Sequence, residues 1–119
     1  MHFTVNSFAR EVGKIFEGHL KPLDIAPSYA DLLMLLSERD GMLQQEIADE
    51  MNLAASTITR FIAKLEKEKL VKKRKKTGRS DVILTEKGVT KTAKIKNKYT
   101  DAVKELERVL GEKFVATTE

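Results

Sequence analysis

The stretch Ile58–Lys76, ITRFIAKLEKEKLVKKRKK, decides how this chain reads. Ile58, Phe61, Ile62 and Leu65 recur at i, i+3, i+4 and i+7, which is one face of a helix. Thr57, Arg60, Ala63, Lys64 and Lys67 fall on the other face. The helix then runs straight into VKKRKK. From Arg60 to Arg79 there are ten basic residues and two acidic ones, whereas the whole chain carries a net charge of only +4. The remainder is therefore net negative, and the positive charge is a local device. A compact basic patch beside a narrow polar helix face is what a duplex phosphate backbone attracts.

Composition narrows the alternatives. A chain of 119 residues, 41% apolar and 34% charged, suits a single folded, helix-rich domain with a real core. Aromatic residues are 6% and Trp is absent, so a base-stacking platform for single strands is poorly supplied. Without cysteine there is no disulfide, thiolate zinc site or thiol sensor. The longest apolar run, Leu32–Leu36, is too short to span a bilayer, and MHFTVNSFAREV lacks the pattern of a secretory signal. The expected location is cytoplasmic, with no membrane partner.

Working outward, Gln44–Met51 is a short helix with Ile47, Ala48 and Met51 on its apolar face. Asn52-Leu53 turns a tight corner into a second helix from about Ala55 to Lys69. Two short helices joined this way form a helix-turn-helix, whose second member enters a major groove. Upstream, Pro27 starts a leucine-rich helix to Glu38, which Asp40-Gly41 ends. Val5, Phe8, Val12, Ile15, Phe16, His19 and Leu20 mark an earlier helical stripe within Met1–Leu20. Downstream, Val71–Leu84 changes period: two strands flank Thr77-Gly78-Arg79-Ser80, a hairpin with a basic tip. Thr85 caps a long helix from Glu86 to about Leu110, ended by Gly111, with Glu112–Glu119 as a tail. Its stripe of Ile95, Tyr99, Ala102, Val103, Leu106, Val109 and Leu110 needs a partner, and a two-fold copy of the chain supplies one.

In that order, the motifs LQQEIADEMNL, STITRFIAKLEKEKLV and VILTEKG resemble the MarR family of winged-helix transcription regulators, over about Phe8–Leu110. The resemblance implies a mainly α fold with a small β-hairpin: a winged helix-turn-helix with N- and C-terminal dimerisation helices. It divides the single domain 1–119 into a DNA-binding winged-helix lobe, 27–85, and dimerisation helices, 1–26 and 86–119. The dimer contacts would be Phe8, Val12, Tyr99, Val103, Leu106 and Leu110. By position, Ser56, Thr57, Thr59 and Arg60, with Lys64 one turn later, lie on the major-groove helix. Lys72, Lys73, Arg74, Lys75 and Lys76 form the wing's basic strand, and Arg79 falls at the tip, where the family directs an arginine into the minor groove. Three positions depart from the pattern. Ala54 stands where the family caps the recognition helix with Ser or Thr. The tip is about one residue shorter and lacks the aspartate beside the arginine. Lys69 stands where the family has Gly, and a left-handed turn there costs lysine about 1 kcal/mol.

The chemistry follows residue by residue. Lysines of the wing supply point charge, hence affinity and salt dependence without sequence choice. Arg60 can read guanine by a bidentate bond or pair with Glu66. The hydroxyls of Ser56, Thr57 and Thr59 can serve phosphates, base edges or the local backbone. His2 and His19 belong to no ligand-spaced cluster, and no metal or other cofactor is expected. No phosphate loop, H-E-x-x-H or nucleophile–base pair is present, so the chain is not read as an enzyme. The expected function is a sequence-specific double-stranded DNA-binding transcriptional regulator, a repressor acting as a homodimer on a palindromic operator and released by a small-molecule effector. The alternative is a winged-helix module that binds protein or RNA without operator specificity.

Overall fold

The computed structural model describes residues 4–118, with side chains as far as Glu112. The elements are α1 (Val5–Leu20), a 3-10 turn (Lys21–Leu23), α2 (Pro27–Ser37), α3 (Gln44–Met51), α4 (Ala55–Lys67), β1 (Val71–Lys76), β2 (Arg79–Leu84) and α5 (Glu86–Thr118). The expected fold class, mainly α with one hairpin, is what the chain adopts. Met1–Phe3, including His2, lie outside the described residues. The chain divides into two compact units, one comprising Ser28–Lys94 and the other the segments up to Pro27 and from Ile95 onward. The first two turns of α5 thus belong with the helix-turn-helix and the hairpin.

In the unit of terminal segments, Thr4 caps α1: its Oγ1 accepts from Ser7 N–H at 3.1 Å. Ile15, Leu20, Ile95 and Ala102 are buried. The Phe16 and Tyr99 rings meet edge to face, 5.1 Å between centroids. His19 Nε2 lies 3.3 Å from Glu105 Oε1. Val5, Phe8 and Val103 remain exposed. Of the six expected dimer residues, Tyr99 is thus already in contact with a ring of its own chain, while Val12, Leu106 and Leu110 are half-buried. One expectation needs correction: α5 does not stop at Gly111 but continues to Thr118, 33 residues or about 50 Å at about 1.5 Å each. An interior glycine costs a helix only about 1 kcal/mol relative to alanine. Gly111 is also not among the glycines with positive φ, so it does not form the left-handed stop.

The unit Ser28–Lys94 is built around the α3–α4 pair. Ile47 and Ala48 of α3 and Ile58, Ile62 and Leu65 of α4 are buried, as are Leu32, Leu33 and Leu36 of α2. Burial, not propensity, holds α4. At 13 residues it is marginal as an isolated helix, and Thr57, Ile58, Thr59 and Ile62 are β-branched. Each fully buried Ile or Leu contributes about 1.5–3 kcal/mol, several times a propensity difference.

Both helices of the pair end on a left-handed residue. Asn52 (φ 54°) closes α3, with Leu53 N–H donating to Ala48 O at 3.0 Å. Lys69 (φ 62°) closes α4, with Leu70 N–H donating to Leu65 O at 2.9 Å and Lys69 N–H to Glu66 O at 2.9 Å. This is a Schellman stop with lysine where glycine is preferred. Replacing Lys69 with glycine should therefore raise stability by about 1 kcal/mol, measured by urea unfolding. The start of α5 is fastened onto that stop. Thr85 Oγ1 donates to Lys69 O at 2.6 Å and accepts from Gly88 N–H at 3.0 Å, while Lys87 Nζ donates to Glu68 O at 3.0 Å.

Candidate nucleic-acid interface

The turn between α3 and α4 sets the polar face of α4 outward. Ser56, Thr59, Arg60 and Lys64 are exposed and Thr57 is half-buried. Arg60 makes no ion pair among the described residues, so the pairing with Glu66 does not form. Thr59 has local partners: its hydroxyl lies 3.0 Å from Ala55 O and 3.2 Å from Gln44 Oε1. Ala54, in extended backbone before α4, provides no side-chain cap. Leu43 before α3 provides none either, and there Glu46 Oε1 accepts from Leu43 N–H at 2.8 Å instead.

Lys64 is placed by residues that sequence reasoning missed. Its Nζ sits 4.7 Å from the centre of the Tyr29 ring, and that ring lies 4.4 Å from Phe61. Tyr29 belongs to α2, and nothing in its local sequence announces a partner on α4.

The hairpin β1–β2 is antiparallel, pairing Val71 with Leu84 and Lys76 with Arg79. Its turn is tighter than the expected Thr77–Ser80. Only Thr77 (φ 44°) and Gly78 (φ 77°) lie between the strands, and Arg79 and Ser80 belong to β2. Two successive positive φ values match the right-handed twist of a hairpin, and glycine takes the second. The outer edge of β2 gains one rung from Met42, whose N–H donates to Val82 O at 3.2 Å and whose carbonyl accepts from Val82 N–H at 2.8 Å.

Lys72, Lys73, Lys75 and Lys76 are exposed and make no ion pair among the described residues. Arg74 departs from this row because it faces Asp81 across the ladder. Its Nη1 donates to Asp40 Oδ1 at 3.1 Å, and its Nη2 to Asp40 O at 3.2 Å and Asp81 Oδ2 at 3.3 Å. Its Nε is buried with no hydrogen-bond partner among the described residues. Arg79 also reaches inward: its Nε donates to Asp81 Oδ1 at 3.0 Å, although half of its side chain stays exposed. Asp81 itself is buried. It stands two residues after the tip arginine and serves it as the aspartate missing from the tip itself.

Burial alone would raise the Asp81 carboxyl, but the hydrogen bonds from Arg79 and then Arg74 outweigh it and hold it below the usual carboxylate range. Asp40, then Asp81, raise Arg74 above its ordinary value by hydrogen bonding. A carboxyl depressed in the folded state gives stability that is complete above its unfolded pKa of about 3.9 and is lost as pH falls through the lower folded value. The wing should therefore loosen only below about pH 4. Asp81→Asn should lower the melting temperature at pH 7 and shrink the further drop on acidification, read by thermal melts at both pH values.

Helix, turn and helix followed by an arginine-braced hairpin define a winged helix-turn-helix. The MarR family model matches residues 26–78, the family whose motifs the sequence resembles. No curated protein sequence matches the chain. Solved structures share the fold over nearly its whole length. The oxidized form of MarR from E. coli has a TM-score of 0.81 at 15% identity, covering 99% of this chain and 95% of that one. CouR from Rhodococcus jostii, bound to p-coumaroyl-CoA, has a TM-score of 0.78 at 20% identity, covering 96% and 82%. A single-residue variant of Staphylococcus aureus MepR bound to an oligodeoxyribonucleotide has a TM-score of 0.68 at 20% identity, covering 98% and 94%. Among the described residues no cluster of His, Asp and Glu is suited to a metal ion, and no helix is long and apolar enough to cross a membrane.

Proposed function

We propose that the chain is a double-stranded DNA-binding transcription regulator, a repressor acting as a homodimer on a palindromic operator. One observation carries this reading: Arg60 and Lys64 on the outer face of α4 and Lys72, Lys73, Lys75 and Lys76 on β1 are exposed within one unit and make no ion pair among the described residues. Surface lysines of ordinary solvated strands carry no such implication, but these adjoin a helix-turn-helix. Ser56 and Arg60 would face base edges, the lysines would neutralise phosphates, and Arg79 would reach the flanking minor groove. The exposed Phe8 and Val103, with Val12, Leu106 and Leu110, would face a second copy, presenting the two α4 helices about 34 Å apart. The division of labour between lobe 27–85 and the terminal helices belongs to the same proposal.

The MepR variant's oligodeoxyribonucleotide and CouR's p-coumaroyl-CoA support a DNA partner and an acidic or aromatic small-molecule effector for this chain. Fluorescence anisotropy with the DNA upstream of the coding region and a scrambled duplex, at about 50 and about 200 mM salt, tests the reading. The expected result is tighter binding to the upstream DNA and a log–log salt slope of about −0.9 for each phosphate neutralised. Equal affinity for both duplexes would instead favour a module without operator specificity. Sedimentation of the free protein should give a dimer.

A further inference from the structure

We propose that Arg74 is no phosphate contact but the pin that fastens the wing to the α2–α3 turn, governing the wing's hold on DNA through position instead of charge. The DNA part rests on the function proposed above; the fastening does not. Arg74 stands in the middle of the lysine run, and by charge alone it would count as one more phosphate ligand. Its guanidinium is already occupied at both ends, by the Asp40 side chain and carbonyl and by the buried Asp81.

The turn is shaped to admit it. Gly41 has φ +90°, and a Cβ there would lie 2.7 Å from Asp81 Oδ2 and 2.8 Å from an Arg74 Nη nitrogen. One residue on, Met42 forms the rung with Val82. Side-chain and main-chain links therefore converge on one corner of the hairpin. A two-stranded hairpin is at best marginally stable by itself, so a wing without this corner must be ordered at the moment of binding. Lysine is a poor substitute for the guanidinium, because its single nitrogen cannot place donors where Nη1 and Nη2 both stand.

Three full-length variants test this: Arg74→Met, Asp40→Ala and Lys73→Met. Asp40 is included because its side chain is 83% exposed, so its removal leaves the core intact and keeps the comparison valid if Arg74→Met does not fold. Amide hydrogen exchange over residues 71–84, without DNA, should quicken about tenfold or more in the first two variants and not in Lys73→Met. Identical exchange in all three would overturn the pin. In anisotropy titrations with the labelled upstream duplex, Arg74→Met and Asp40→Ala should bind about tenfold more weakly at every salt concentration with an unchanged slope. Lys73→Met should flatten the slope by about 1 per lost phosphate contact. A slope in Arg74→Met flattened as in Lys73→Met would make Arg74 a phosphate ligand and overturn the proposal. If the wild-type chain binds no duplex, the DNA reading falls, and hydrogen exchange alone decides the pin.

Discussion

Gly88→Ala is expected to destabilise the protein by about 3 kcal/mol, the upper end of what forcing one extra carbon into a packed site costs. Gly88 is buried in the first turn of α5. A Cβ there would run into the Leu70 carbonyl oxygen and lie 3.0 Å from that carbonyl's carbon. Retreat is blocked, because the same oxygen accepts from Thr85 N–H at 3.1 Å and Thr85 in turn caps the helix through Gly88 N–H. The requirement is for space, since Gly88 is not among the positive-φ residues. Chemical unfolding measures the loss. Gly111→Ala is the control: an alanine methyl there would meet nothing within 4 Å, so the substitution should stabilise α5 by up to about 1 kcal/mol. Equal effects at the two glycines would show that close packing at Leu70 is not the cause.

The second large effect concerns recognition. If α4 reads a major groove, Arg60→Ala should cost about 1–3 kcal/mol per half-site on the upstream duplex and little on a scrambled one. Arg60 has no ion pair among the described residues to lose, so a fall in affinity would report a DNA contact and not a damaged fold. Lys73→Ala should weaken both duplexes alike and flatten the salt slope by about 1 per contact. Anisotropy with the two duplexes separates the cases. Parallel losses for both variants on both duplexes would contradict the assignment of base reading to the helix and charge to the wing.

What could be read from the residues divides along physical lines. Helices came through where burial imposes a period: Ile58, Ile62 and Leu65 announce their face without knowledge of the partner, and all three are buried. The hairpin showed in the change of period at Val71, and Thr85 in its capping chemistry. Positions governed by distant partners did not show. Arg74 looked like its lysine neighbours, since its carboxylate partners depend on strand register and on a turn 34 residues away. Tyr29 met Lys64 across helices for the same reason. Asp40-Gly41 was legible as a turn but not as a seat for the wing. The end of α5 was misplaced because one glycine was given more weight than its propensity carries.

The single rung between Met42 and Val82 bears on any attempt at transplantation. A chimaera that exchanges only residues 71–84 for another regulator's hairpin would leave behind the Met42 rung and the Asp40-Gly41 corner that complete it. The exchangeable cassette is discontinuous, residues 40–42 together with 71–84, and an engineered hybrid that respects this boundary should keep its borrowed tip in register.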